Sequence, residues 1–131
     1  MNGKLSLVPN EEKYWDFILK LRNDSEVKKG FIQQEHIQIG DHLDHMAEYG
    51  GCYYICLLGS TPVGYTGVIN NDIRVATSPR YQGKGIGKFM INTLATGFPK
   101  AFAKVKIDNI SSLRLFESCG FVKKYYILEK Q

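Results

Sequence analysis

Residues 80–88 read Arg-Tyr-Gln-Gly-Lys-Gly-Ile-Gly-Lys, three glycines alternating with cations and followed by Phe89, Met90, Ile91 and Leu94 at helical spacing. A glycine-rich turn that opens a helix is an anion-binding shape, because main-chain N–H groups and the positive end of the helix dipole converge on one point. Two familiar phosphate loops fail on residue identity. A Walker A loop needs glycine where Gln82 stands and Ser or Thr where Phe89 stands, and a dinucleotide fingerprint starting at Gly83 meets Lys88 where its third glycine belongs. A plain turn would need fewer glycines. Lys84 and Lys88, at a helix start, oppose the dipole unless an anion lies nearby.

Other side chains with chemistry are fewer. His36, His42 and His45 are the groups whose ordinary pKa lies near neutrality. Cys52, Cys56 and Cys119 are an odd number without CxxC spacing, which points to free thiols rather than a disulfide framework or a zinc site; Cys52 and Cys56 are expected on one face of a strand. No third ligand accompanies His42 and His45, so no metal is expected.

The elements that must position these groups follow from periodicity. Leu5 and Leu7 alternate up to Pro9, a first strand. Asn10 is placed to cap a helix carrying Glu11 and Glu12 in its first turn and burying Tyr14, Phe17, Ile18 and Leu21 up to about Asn23. Residues 24–40 break the pattern. A second helix is expected from Asp41, with Leu43, Met46 and Ala47 inward and Gly50 ending it. Cys52–Leu58, a Gly59-Ser60 turn and Val63–Ile69 form a hairpin; Asn70-Asn71 turns the chain into a third antiparallel strand through Ile73, Val75 and Thr77 to Pro79. After the glycine loop and its helix, Phe102, Val105 and Ile107 read as a strand, Ser111–Cys119 as a helix closed by Gly120, and Phe121–Leu128 as a last strand. Strand, helix, strand is a crossover, so the strands around Val75 and Val105 must be parallel.

The 131 residues suit one domain, residues 1–131, with 44% hydrophobic and 23% charged content, which excludes a disordered tail, a collagen or a coiled coil. Seventeen Lys and Arg against thirteen Asp and Glu give +4, favouring anionic ligands but short of a nucleic-acid binder. The longest apolar run, Cys52–Leu58, is far below a membrane span, and no signal core is present, so a cytoplasmic protein without nucleic-acid or membrane partners is expected.

The arrangement Gln82-x-x-Gly85-x-Gly87, preceded by Pro79-x-Tyr81, resembles the acyl-CoA pyrophosphate loop of the GNAT superfamily of N-acetyltransferases. Downstream, Asn109-x-x-Ser112-x-x-Leu115-Phe116-x-x-x-Gly120-Phe121 is similar to that superfamily's second motif. Together they cover about residues 72–122. The resemblance implies an α/β fold of α+β type: a mixed, mostly antiparallel sheet with a splayed parallel pair, helices on both faces, and the order β-α-α-β-β-β-α-β-α-β. It also implies acetyl-CoA as acyl donor, with no metal. The pantetheine arm would pair with backbone near Ala76 and Thr77, and the pyrophosphate would take amides from Gln82, Gly83, Lys84, Gly85, Ile86, Gly87 and Lys88. An amide dipole on the Ala76–Thr77 strand would stabilise the oxyanion.

An ammonium must lose a proton before it attacks. Relatives often use a carboxylate on this strand, where Asp72 is nearest; Asp72 is equally well read as a turn residue after Asn70-Asn71. Many relatives protonate the thiolate with a tyrosine where this chain has Phe116, which has no hydroxyl but would still pack beside the pantetheine; Tyr125 or Ser112 would then substitute, or solvent would. Asn109 either holds the pantetheine or starts a helix, and Ser111 and Ser112 either bind or cap.

The stretch Leu21-Arg22-Asn23, Phe31, Ile39 and His42 more loosely resembles the branch that holds ribosomal-protein N-terminal and nucleotide-amino-sugar acetyltransferases. That likeness makes Arg22 and Phe31 acceptor-binding candidates; His42 and His45, one helical turn apart, are placed to face the same pocket, which makes His42 a catalytic candidate beside His45; Arg22 either pairs with an anionic substrate or anchors the following loop through carbonyls. The reading is an enzyme that acetylates a primary amine of a small molecule, an amino sugar among them, or of a peptide. Its alternative is a non-catalytic acyl-CoA-binding module. Tyr125, Tyr126 and Ile127 on an unguarded edge point to a homodimer.

Overall fold

The computed structural model describes residues 3–131. Four strands form one antiparallel sheet in sequential order: β1 Leu5–Pro9, β2 Tyr53–Leu58, β3 Thr61–Ile69 and β4 Asp72–Thr77. The β3–β4 hairpin turns on Asn70 and Asn71, both at positive φ (52° and 68°), the backbone that a two-residue hairpin of matching twist demands and that asparagine tolerates. The β2–β3 register shifts between Cys56 and Leu57, a bulge that leaves Val63 outside the pairing.

Helices cover both faces. On one lie α1 (Trp15–Asn23), α2 (Ser25–Lys28) and α3 (Ile39–Tyr49), which bury Ile18, Leu21, Val27 and Met46 against Tyr53, Ile55, Tyr65, Ile69 and Ala76. On the other, α4 (Ile86–Ala95) and α5 (Ile110–Ser118) pack Ile86, Met90, Ile91, Leu94 and Phe116 onto Cys56, Val63, Val68 and Ile73. Gly64 lets α4 approach: a Cβ there would stand 2.8 Å from the Ala76 carbonyl oxygen and 2.9 Å from the Met90 methyl. Among the described residues no helix is long and apolar enough to cross a membrane.

Several expectations are corrected. Asn10 caps nothing. Its amide donates to the Gly50 carbonyl at 3.2 Å, joining the end of β1 to the end of α3, and residues 12–14 form a 3-10 turn without a side-chain cap. In α3, Leu43 and Ala47 face solvent while His42 and Met46 are buried, because the inward stripe is only as wide as the contact with α1 and the sheet. Cys52 precedes β2 on a 3-10 turn and packs with the α1 side, whereas Cys56 packs with the α4 side.

The two C-terminal strands are not formed. The strand around Val105 contracts to one parallel bridge, Asp72 to Phe102, held by Ile73 N–H to the Phe102 carbonyl (2.9 Å) and Phe102 N–H to the Asn71 carbonyl (2.8 Å). Phe121–Leu128 makes no ladder although its residues favour strands: a strand needs a neighbouring edge, and residues 103–107 offer none.

Candidate active site

β4 has β3 on one side along its whole length, but on the other, among the described residues, its one strand neighbour is at Asp72, and the Thr77 carbonyl accepts from Gln82 Nε2 (3.4 Å). Beyond that bridge the edge from Arg74 to Thr77 faces a cleft of about 1370 Å³. This exceeds the roughly 300–1,000 Å³ of a single small-molecule site and leaves room for an extended ligand and a second substrate.

At its far end β4 runs into the glycine loop. Pro79–Tyr81 form a 3-10 turn, Gly83 and Gly85 follow at φ +77° and +79°, and α4 begins at Ile86. A Cβ at Gly83 or Gly85 would meet nothing within 4 Å, so these glycines serve the left-handed backbone and leave their main chain open to the cleft. Ile86, 1% exposed, bolts the loop to the core. The first turn of α4 holds no acidic residue, and its leading N–H groups have no intrahelical acceptor. Gln82, Gly83, Gly85, Ile86, Gly87 and Lys88 line the cleft, as do Lys104 and Lys106; Lys84 instead lies over the Tyr81 ring, 5.9 Å from its centre. Such donors fit a diphosphate, and the bare β4 edge fits an arm that carries amides.

The second motif is committed largely to structure. Asn109 Oδ1 accepts the Ser112 N–H (3.2 Å), the helix-starting role, while its Nδ2 donates to the Gly30 carbonyl (3.1 Å) and ties α5 to the chain after α2. Ser111 and Ser112 line the cleft beside it. Phe116 touches the cleft but is 5% exposed and packs edge-on against Phe121, ring centres 5.2 Å apart.

The candidate proton carriers are scattered. Asp72 lines the cleft beside Arg74 Nε (3.6 Å) and Lys104 Nζ (3.9 Å), but lies four residues, roughly 13 Å, along the strand from Ala76. Tyr125 is 89% exposed and away from the cleft. His42 is 1% exposed with both ring nitrogens engaged, by the Trp15 carbonyl (2.8 Å) and Arg22 Nη1 (3.0 Å), so the structure gives it no free position toward a substrate. Arg22 and Phe31 do line the cleft.

Two cleft residues, Tyr65 and Tyr53, escape the sequence reading, and Tyr53 meets His45, which it names. Tyr65, 4% exposed, stands opposite Ala76 in the β3–β4 register, and its ring meets that of Tyr53 edge-on at 5.7 Å. The Tyr53 hydroxyl is 2.9 Å from His45 Nε2. Burial, then the Arg22 and Arg74 charges, pull His45 down to about 4, so it is neutral at pH 7; burial lowers His42 also and raises Tyr53 and Tyr65. The available signal was the hairpin itself, since pairing Ile55 with Tyr65 sets Tyr53 and Tyr65 on one face.

A family model described as the acetyltransferase (GNAT) family matches residues 14–121. Among curated proteins, a spermidine N(1)-acetyltransferase of Vibrio cholerae is 29% identical over 65 residues, 45% of this chain and 38% of that protein, so the match spans well under half of the relative's length. Among solved structures, a domain from Methanocaldococcus jannaschii superposes with a TM-score of 0.83 at 22% identity, over 94% of this chain and 91% of that one. A spermidine N-acetyltransferase from Vibrio cholerae, in complex with CoA and spermine, gives 0.81 at 18% identity, over 96% and 85%. The yncA protein of Salmonella typhimurium, with acetyl-CoA, gives 0.76 at 15% identity, over 91% and 80%.

Proposed function

This chain belongs to the acetyltransferase (GNAT) family, and from that premise we propose that residues 1–131 act as one cytoplasmic domain that acetylates a primary amine at the expense of acetyl-CoA. The acceptor is a small molecule, an amino sugar or polyamine among the candidates, or a peptide; the similarity to a protein solved with CoA and spermine supports an amine of this kind. One observation carries the reading: a strand edge without a strand partner, Arg74 to Thr77, leads directly into the left-handed glycines and free amides at the start of α4.

When bound, acetyl-CoA supplies an acetyl group activated as a thioester. The Gln82 N–H is taken by the Pro79 carbonyl (3.4 Å), so the amides of Gly83 to Lys88, with Lys88, Lys104 and Lys106 nearby, hold the diphosphate, and the Ala76–Thr77 main chain aligns the arm. Tyr65, opposite Ala76, and Tyr53 offer hydroxyls that stay protonated, and His45 stays uncharged, so these three add nothing to the positive charge that Arg22 and Arg74 bring to the wall. Asp72 takes up a proton from there only through intervening water. Phe116 leaves the departing thiol to solvent, tolerable for a group whose pKa is near ~8.5.

Calorimetry with CoA and continuous thiol release from acetyl-CoA over an amine panel test the reading. CoA binding with turnover supports it; CoA binding without turnover on any amine supports the non-catalytic module; no CoA binding removes both. The exposed Val122, Tyr125, Tyr126, Ile127 and Leu128 support a homodimer, which gel filtration checks.

A further inference from the structure

Sequence alone leaves Arg22 with two roles, anchoring the next loop or meeting an anion. Its neighbour already does the anchoring: Asn23 Nδ2 donates to the Ile37 carbonyl (3.0 Å), and Asn23 Oδ1 accepts the Ile37 N–H (2.8 Å). Arg22 turns the other way. Its Nη1 donates to His42 Nδ1 at 3.0 Å, and its half-buried side chain lines the cleft.

His42 is built for that contact. A ring nitrogen facing a carbonyl must carry the hydrogen, so the 2.8 Å bond to the Trp15 carbonyl puts the proton on Nε2 and leaves the Nδ1 lone pair aimed at the guanidinium. Burial fixes the ring in place. Of the cleft's other cations, Lys29 pairs with Glu26 (3.0 Å), Lys106 with Asp108 (3.6 Å), and Arg74 and Lys104 with Asp72 (3.6 and 3.9 Å), while Lys88 stands at the glycine loop. Glu35 and Asp41, both exposed, lie outside ion-pair distance of Arg22; among the described residues no carboxylate reaches it.

A guanidinium held by a buried neutral acceptor and left without an ion-pair partner keeps a fork of donors for something that enters the cleft. We propose that Arg22, positioned by His42, recognises an oxyanion, carboxylate or phosphate, carried by the amine acceptor, and so selects acidic amines over polyamines. The inference rests on the acetyltransferase reading and narrows its acceptor.

Two matched pairs isolate the anion under saturating acetyl-CoA: lysine against cadaverine for a carboxylate, glucosamine 6-phosphate against glucosamine for a phosphate. The expected result is that in at least one pair the anionic member has kcat/KM about tenfold or more above its partner, a charge-assisted contact's worth. Arg22→Met brings that ratio near unity. His42→Gln raises KM for the anionic member several-fold and leaves CoA affinity and the partner's KM alone, a split that a purely structural role would not produce. Preference for the anion-free member in both pairs, or a preference that survives Arg22→Met, overturns the proposal.

If none of the four is acetylated, inorganic pyrophosphate is titrated into the CoA-saturated protein. Binding that weakens about tenfold in Arg22→Met supports the site; absent heat, or equal affinity in the variant, overturns it. CoA affinity in the same samples separates the two claims: its loss removes the acetyltransferase reading, whereas tight CoA binding without dependence on Arg22 removes only this one.

Discussion

Asn109 is the residue whose replacement most sharply divides ligand contact from architecture. Its side chain bonds in two directions, capping α5 at Ser112 three residues on and clasping Gly30 79 residues back. Asn109→Ala removes both. Loss of a cap costs about 1 kcal/mol, and loss of a neutral hydrogen bond that leaves a half-buried carbonyl unmatched costs about another 1 kcal/mol, together about 2 kcal/mol. For a chain of this length each kcal/mol lowers Tm by roughly 3–5 °C, so a fall of roughly 6–10 °C is expected in thermal unfolding followed by circular dichroism. Asn109→Asp keeps the capping oxygen and gives up only the donor, so about half that fall is expected. Gly30 is part of the same contact, since a Cβ there would stand 2.5 Å from Asn109 Nδ2. Gly30→Ala is therefore expected to destabilise too, and less than additively with Asn109→Ala. A fall under about 2 °C in Asn109→Ala, or equal falls in the Ala and Asp variants, would refute the clasp.

Other outcomes follow from the same structure. Gly85→Ala forces a side chain into the left-handed region at the head of α4; stability falls by about 1–2 kcal/mol in denaturant titration, and CoA binding weakens in calorimetry although the new methyl touches nothing. Gly64→Ala drives a methyl into the Ala76 carbonyl and Met90 and costs more than about 2 kcal/mol, seen as a lower urea midpoint or loss of folded protein. His45 and His42 titrate lower folded than unfolded, so the unfolded chain binds more protons: their contribution is full above about pH 6.5 and is lost as pH falls toward His45's value of about 4. Urea unfolding between about pH 7 and pH 4.5 should show that decline, and His45→Gln should flatten it. Burial lifts the Cys56 thiol to about 11, so a thiol reagent should label Cys52 and Cys119 in the native protein and Cys56 only after unfolding.

The parts legible in the sequence are those that local chemistry dictates. Asn70-Asn71 can serve a tight hairpin, Pro79 must end a strand, and three glycines ahead of a helical stripe must make an open turn, so β2 to β4, the loop and α4 follow from neighbours a few residues apart. What stayed hidden depends on partners far along the chain. Nothing near His42 says that it is enclosed by α1 and bonded to Trp15 and Arg22, and the apolar Leu43 beside it looks the better core residue. Asn10 has the form of a cap, yet Gly50, 40 residues on, takes its amide. The segment Phe121–Leu128 has strand composition, but composition cannot supply the edge on which a strand is built.

The bare margin of β4 has a consequence for the protein at rest. Main-chain groups from Arg74 to Thr77 that would suit a thioester's arm suit any other extended peptide equally well, and the exposed Val122, Tyr125, Tyr126, Ile127 and Leu128 add tacky apolar surface. Purified without its ligand and concentrated, the protein should stick to itself through this margin, and CoA in the buffer should keep it dispersed by filling the slot that a sister molecule would otherwise take.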